Sequence, residues 1–233
     1  MENTSKERFP VIAIGGSYGY GWQQMWKHFL YLFLIGVIVA FANSPMSILQ
    51  KSEYVDTPGM IALQILAAAY GLLLLPVLKY GGDLLYLRCM RNEKVEIREM
   101  FDGFQNNYLN IILANLLTFA IIGLGFVFLI IPGIILACRL VFVPYLVMDK
   151  KLEPVAAVEK SWEMTRGHGW KIFGMAMLAI LVFILGLLCL IVGVFFALIW
   201  ISTAFASMYH AIDLEDQKKL MNGNGGEHLA PEV

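Results

Sequence analysis

Three ionisable side chains stand inside otherwise apolar sequence, and such residues at membrane depth are costly enough to be the first place to look for chemistry. Lys79 and Asp83 lie four residues apart, a spacing that puts them on one helix face, with Gly81 and Gly82 between them. Arg139 lies ten residues before Asp149. The chemistry open to such a set is contact with a lipid headgroup or a small anion. The plainer alternative is that Lys79 and Arg139 snorkel to the interface and pair with Asp83 or Asp149.

Reactive constellations of other kinds are missing from the sequence. His28, His168, His210 and His228 have no metal-ligand spacing with one another or with acids, and no metal or cofactor is expected. There is no GxSxG, HExxH or GxxxxGK[ST] pattern, so the expectation is a protein that is not an enzyme. Cys89, Cys138 and Cys189 form no CxxC pair and read as small apolar packing residues. Gln64, Asn110, Asn115, Thr118, Ser202, Thr203 and Ser207 read as hydrogen-bonding groups between helices.

The elements that hold these residues follow from hydropathy. Of 233 residues, 59% are hydrophobic and 15% charged, and mean hydropathy is +0.68, which fits a chain embedded in a bilayer. The 17 basic and 18 acidic residues nearly cancel, which argues against nucleic acid as a partner. A hydrocarbon core of roughly 30 Å needs about 20 helical residues. Charge-free stretches between Lys27 and Lys51 and between Asp56 and Lys79 each have room for one helix. The stretch after Asp102, interrupted by Arg139 and apolar on to Met148, has room for two, as does the stretch between Lys171 and Asp213. Gly123, Gly125, Pro132 and Gly133 in one, and Gly186 and Gly193 in the other, mark each long block as a helical hairpin. The expected fold is therefore all-α, a polytopic bundle of six transmembrane helices at about 28–44, 59–80, 107–124, 131–148, 170–187 and 192–212. Residues 1–18 read as an N-terminal segment, 19–212 as the transmembrane domain and 213–233 as a flexible tail whose composition cannot bury a core.

Charge asymmetry sets the expected orientation. Lys6, Arg8, Arg88, Arg91, Lys94, Arg98, Lys150, Lys151, Lys160, Arg166, Lys171, Lys218 and Lys219 fall on one side of these spans and Lys51 on the other. That bias places both termini in the cytoplasm, and the 43–57 loop and both hairpin tips outside. Phe29 to Ala42, ending in Ala40-Phe41-Ala42, has the look of a signal-peptide core. The long preceding segment, with Trp22 and Trp26 as interfacial anchors, favours an uncleaved first helix.

Each pair of spans is preceded by a short amphipathic segment. In Glu153–Arg166, Val155, Ala157, Val158, Trp162 and Met164 face one way, against Glu159, Lys160, Glu163 and Arg166. Val95–Phe104 repeats the pattern, and Gly19–Lys27 does so more faintly. A shift of 61 residues aligns Phe101 with Trp162, Leu117 with Leu178 and Gly125 with Gly186, a hint of an internal repeat. Trp22, Trp26, Phe101, Phe104, Tyr108, Trp162 and Trp170 gather where helices should meet headgroups, as an interfacial belt does.

The run from Ile131 through Pro132, Gly133, Arg139 and Asp149, then Ala157, Ser161, Trp162 and Gly167, resembles a group of bacterial inner-membrane proteins. That group comprises YciC-like proteins and the membrane domain attached to some glycerophosphodiester phosphodiesterases. The resemblance covers about 45 residues as a motif and implies a multi-pass protein of the inner membrane. The phosphodiesterase activity is not carried over, since no such soluble domain is attached.

Membrane lipids are the expected partner, with another membrane protein or a second copy of the chain beside them. The interfacial helix would act through Val158, Ser161, Trp162 and Arg166, and the candidate lipid or anion contact is Lys79, Asp83 and Arg139. The expected role is envelope maintenance or service as an accessory subunit. The rival expectation is a small-molecule transporter or permease, which would need a continuous polar cavity joining those three residues.

Overall fold

The protein is described here by a computed structural model over residues 12–50, 58–188 and 190–224. Lys6, Arg8, Lys51 and Cys189, residues 51–57 of the expected 43–57 outer loop and the last nine residues lie outside that range, while residues 43–50 of that loop are helical.

Apolar sequence without charge drives almost all of the described chain into helices: α1 (Ile14–Lys27), α2 (Phe29–Gln50), α3 (Pro58–Leu73), α4 (Leu75–Met90), a 3-10 turn (Ile97–Phe101), α5 (Asp102–Asn106), α6 (Tyr108–Phe128), α7 (Ile130–Arg139), α8 (Val143–Asp149), α9 (Pro154–Thr165), α10 (Gly169–Leu188) and α11 (Leu190–Asn224). The protein is an all-α, multi-pass membrane bundle. Five stretches are long and apolar enough to cross a bilayer: Ile61–Met90, Tyr108–Phe128, Ile130–Asp149, Gly169–Leu188 and Gly193–Met221. A sixth comes from α1 and the described part of α2, joined through a bend of 98°. Outward faces are apolar, with residues such as Leu30, Phe41, Ile65, Leu109 and Phe119 exposed, because lipid rather than water is the solvent there.

The breaks have local causes. Pro76 lacks the N–H that would continue the helix, so the helical hydrogen bonding is interrupted at Leu74, between α3 and α4, within one continuous stretch. Pro144 does the same between α7 and α8. Leu129, with φ −164° and ψ 152°, is the sole non-helical residue between α6 and α7. The expected hairpin is present, with its turn at Leu129 and with Pro132-Gly133 inside the first turns of α7. Gly125 and Gly133 let the two arms close: a Cβ on Gly125 would stand 3.0 Å from the Gly133 Cα. In the α10–α11 hairpin, a Cβ on Gly186 would stand 2.7 Å from the Gly193 carbonyl oxygen. The two hairpins thus close on facing glycines.

Helix α11 is the axis of the bundle and packs on α1, α2, α4, α9 and α10. The tail expected from residue 213 onward is instead helical through Asn224, a continuation of α11. Composition misread it because its charges have tertiary partners: Asp213 is 2% exposed and Asp216 pairs with Lys160 of α9 at 2.8 Å. Residues 225–233 lie outside the described range.

The amphipathic segments are present as α1, as the 3-10 turn with α5, and as α9. In α9 the face turned to the bundle is Ala157, Ser161, Met164 and Thr165, spaced as i, i+4, i+7 and i+8, while Val155 and Trp162 are exposed at 60% and 38%. The small residues Ala157, Ser161 and Thr165 are the ones that fit against the break after α7, which leaves Val155 and Trp162 of the apolar half turned away from the bundle.

Candidate functional site

The strongest polar assembly joins α4, α8 and α11. Arg91, just past the end of α4, donates from Nη1 and Nη2 to the two carboxylate oxygens of Asp149 at 2.6 and 2.8 Å. Its Nη2 also lies 3.2 Å from Asp213 of α11. Lys150 pairs with the other oxygen of Asp213. Tyr209 donates to Asp149 at 3.3 Å and Gln217 to Asp213 at 3.0 Å. Burial alone would ease the proton from Arg91, but the hydrogen bonds to Asp149 and the charges of Asp149 and Asp213 outweigh it and hold the guanidinium above its ordinary value. Two acids, two bases and their hydrogen bonds satisfy one another, so this set is a fastening between helices.

Around it gather the surface segments. Tyr20 of α1 donates to the Met90 carbonyl at 2.9 Å, and Lys27 donates to Asn92 at 2.6 Å. Arg88 pairs with Glu99 of the 3-10 turn. His168, which opens onto α10, lies 3.7 Å from Glu215. One end of the bundle is therefore polar, and all three amphipathic segments are tied to it.

The three candidate residues are not brought together as a cluster. Lys79 is exposed and makes no ion pair with Asp83 or any other described residue. The intervening glycines serve packing: a Cβ on Gly81 would stand 2.1 Å from the Met100 carbonyl oxygen, so α4 and the 3-10 turn touch backbone to backbone there. Asp83 is half-buried and has no hydrogen-bond or ion-pair partner among the described residues. Arg139 pairs with neither Asp83 nor Asp149, because Asp149 is already taken by Arg91.

Arg139 has its own setting at the end of α7. Its carbonyl oxygen, freed by the helix break, accepts a hydrogen bond from Ser161 Oγ at 2.8 Å, with Thr165 Oγ1 at 3.4 Å. Its guanidinium carbon stands 5.3 Å from the centre of the Trp162 ring, a cation–π contact. Nη1 is buried and donates to no acceptor among the described residues. Beside it opens a cavity of about 490 Å³ between α7 and the start of α10. Of the interfacial-helix residues, Ser161 is buried, Val158 half-buried against the core, and Trp162 and Arg166 exposed. Gly167, at φ +85°, ends α9 in the left-handed conformation that glycine tolerates, and so turns the chain into α10.

The sequence pointed to Arg139, Ser161 and Trp162 one by one but not to their contact. It also gave no sign of the Arg91–Asp149–Asp213–Lys150 set, whose members are up to 122 residues apart. Among the described residues no three His, Cys, Asp or Glu side chains come together as a metal-binding group. No family model matches the chain, and no curated protein or solved structure matches it either.

Proposed function

We propose that this is a non-enzymatic protein of a bacterial inner membrane, with both termini in the cytoplasm, that engages lipid or a membrane partner in envelope maintenance. The observation that carries this reading is the convergence of α1, the 3-10 turn with α5, and α9 on one polar end, where Trp22, Trp26, Phe101, Trp162 and Trp170 remain 38–87% exposed. Exposed indole rings beside basic side chains suit the headgroup layer. The sidedness rests on the thirteen-to-one distribution of Lys and Arg, and the inner-membrane assignment on that and on the YciC-like motif. A permease has less support, because Lys79 and Asp83 do not join Arg139 and the cavity beside Arg139 is lined mainly by apolar side chains.

Native mass spectrometry of the protein, released gently from its own membranes, tests the proposal. The expected result is retention of a specific phospholipid or membrane protein. A bare chain, together with substrate uptake into proteoliposomes, would overturn it in favour of transport.

A further inference from the structure

We propose that the groove between α7 and α10 holds an anionic phospholipid, with its phosphate on the Arg139 guanidinium and one acyl chain running down α7. The proposal rests on the lipid-engaging reading above and names its ligand and site. Ile131, Ile134, Ile135 and Cys138, at i, i+3, i+4 and i+7, form one face of α7, and Trp170 and Phe173 of α10 face them. The cavity of about 490 Å³ lies within the roughly 300–1,000 Å³ of small-ligand sites.

Depth fits a headgroup. The Ser161–Arg139 hydrogen bond of 2.8 Å holds α9 level with the end of α7, and α9 carries Glu159, Lys160 and Glu163, which do not enter hydrocarbon. Arg139 is thus at the lipid–water boundary, and from it the apolar face of α7 runs back about 14 Å to Ile130 at 1.5 Å per residue. Charge fits as well. Among the described residues the buried Nη1 has no acceptor and Arg139 has no acidic partner, and Arg166 and Lys171 flank the groove residues Gly167 and Trp170 in sequence. A guanidinium in this state is complementary to a phosphate oxygen. A free anion would make no use of the apolar wall, which opens to the lipid side with Ile131 72%, Ile135 52% and Trp170 87% exposed.

The test is photocrosslinking in nanodiscs of phosphatidylcholine doped with phosphatidylglycerol that carries a photoactivatable acyl chain. Crosslinks are expected on residues 131–138 and at Phe173. Arg139→Gln should reduce them about tenfold, the loss of one charge-assisted contact, while Arg139→Lys retains part. Ile135→Trp, which fills the groove and spares the guanidinium, should displace them. Unchanged labelling in Arg139→Gln that elutes as a folded species, equal labelling by a phosphatidylcholine probe, or equal competition by inorganic phosphate would each overturn the proposal. Labelling confined to other helices would overturn the groove while leaving the lipid-engaging reading intact. Labelling nowhere above the bulk level would overturn both.

We further infer, from the makeup of the turn itself, that the α6–α7 hairpin turns inside the hydrocarbon. Residues 119–138 contain no charged side chain, hydroxyl, amide, Trp or Tyr, so the tip has none of the groups that mark a far interface. Val127, Phe128, Leu129, Ile130 and Ile131 are 68–80% exposed, which water would not tolerate as one patch. At the turn, Leu129 N–H donates to the Gly125 carbonyl at 3.1 Å, Gly133 N–H donates to the Leu129 carbonyl at 3.3 Å, and Pro132 has no N–H to satisfy. Leu129→Cys in intact cells should resist a membrane-impermeant maleimide, with the parent chain as background, and should react after detergent solubilisation. Labelling of Leu129→Cys in intact cells as fast as in detergent would place the tip in water and refute the inference.

Discussion

Asp149→Ala tests whether the polar fastening holds the bundle together. The substitution removes two hydrogen bonds to Arg91, at 2.6 and 2.8 Å, and one from Tyr209, at 3.3 Å. Arg91 is then left 18% exposed with Asp213 at 3.2 Å as its remaining acid. Breaking a buried pair from one side costs about 3–5 kcal/mol. The surviving Asp213 contact and the partial exposure bring the expected loss to about 2–4 kcal/mol. The informative companion is Arg91→Leu with Asp149→Leu, which removes both charges and supplies apolar volume. It should recover to within about 1 kcal/mol of the parent, since an apolar pair often replaces a buried ion pair without loss. Both are read as reversible unfolding in mixed micelles of increasing denaturing detergent. An Asp149→Ala variant within about 0.5 kcal/mol of the parent, or a double variant no better than the sum of its parts, would refute the reasoning.

Other changes separate the residues that hold the fold from those that do not. Gly81→Ala, whose Cβ would meet the Met100 carbonyl oxygen at 2.1 Å, should destabilise severely, by about 3 kcal/mol or more, in the same unfolding assay. Ser161→Ala, which removes the 2.8 Å hydrogen bond to the Arg139 carbonyl, should cost about 1 kcal/mol and should speed proteolysis in α9. Lys79→Gln should be silent, within about 0.5 kcal/mol, because Lys79 is exposed and makes no ion pair among the described residues. Truncation after Ile212 should destabilise at least as much as Asp149→Ala, whereas truncation after Asn224 should not; equal effects would contradict the role given to Asp213 and Asp216.

Hydropathy carried most of the architecture, since a bilayer demands long charge-free helices and the glycine pairs 125/133 and 186/193 announce where they fold back. The three amphipathic segments were legible from the alternation of aromatic and charged residues. What sequence could not show was partnership at long range. Asp213 looked like the start of a solvated tail until Arg91 and Lys150 were placed beside it, and Asp149 looked like a partner for Arg139 until Arg91 proved to hold it. Lys79 and Asp83 attracted notice through their i,i+4 spacing and the glycines between them, but those glycines answer to the backbone of Met100. Arg139 was found because a lone charge in apolar sequence is conspicuous; its contact with Trp162 and Ser161 depended on how α9 folds back over the break at Pro144.

The most direct measurement is headgroup analysis of the phospholipid that copurifies with the folded protein after extensive washing in a neutral detergent. The expected result is an anionic phospholipid retained by the parent chain and by Lys79→Gln but lost from Arg139→Gln at unchanged elution volume. Equal retention by all three, or a parent chain that carries no phospholipid, would contradict the account.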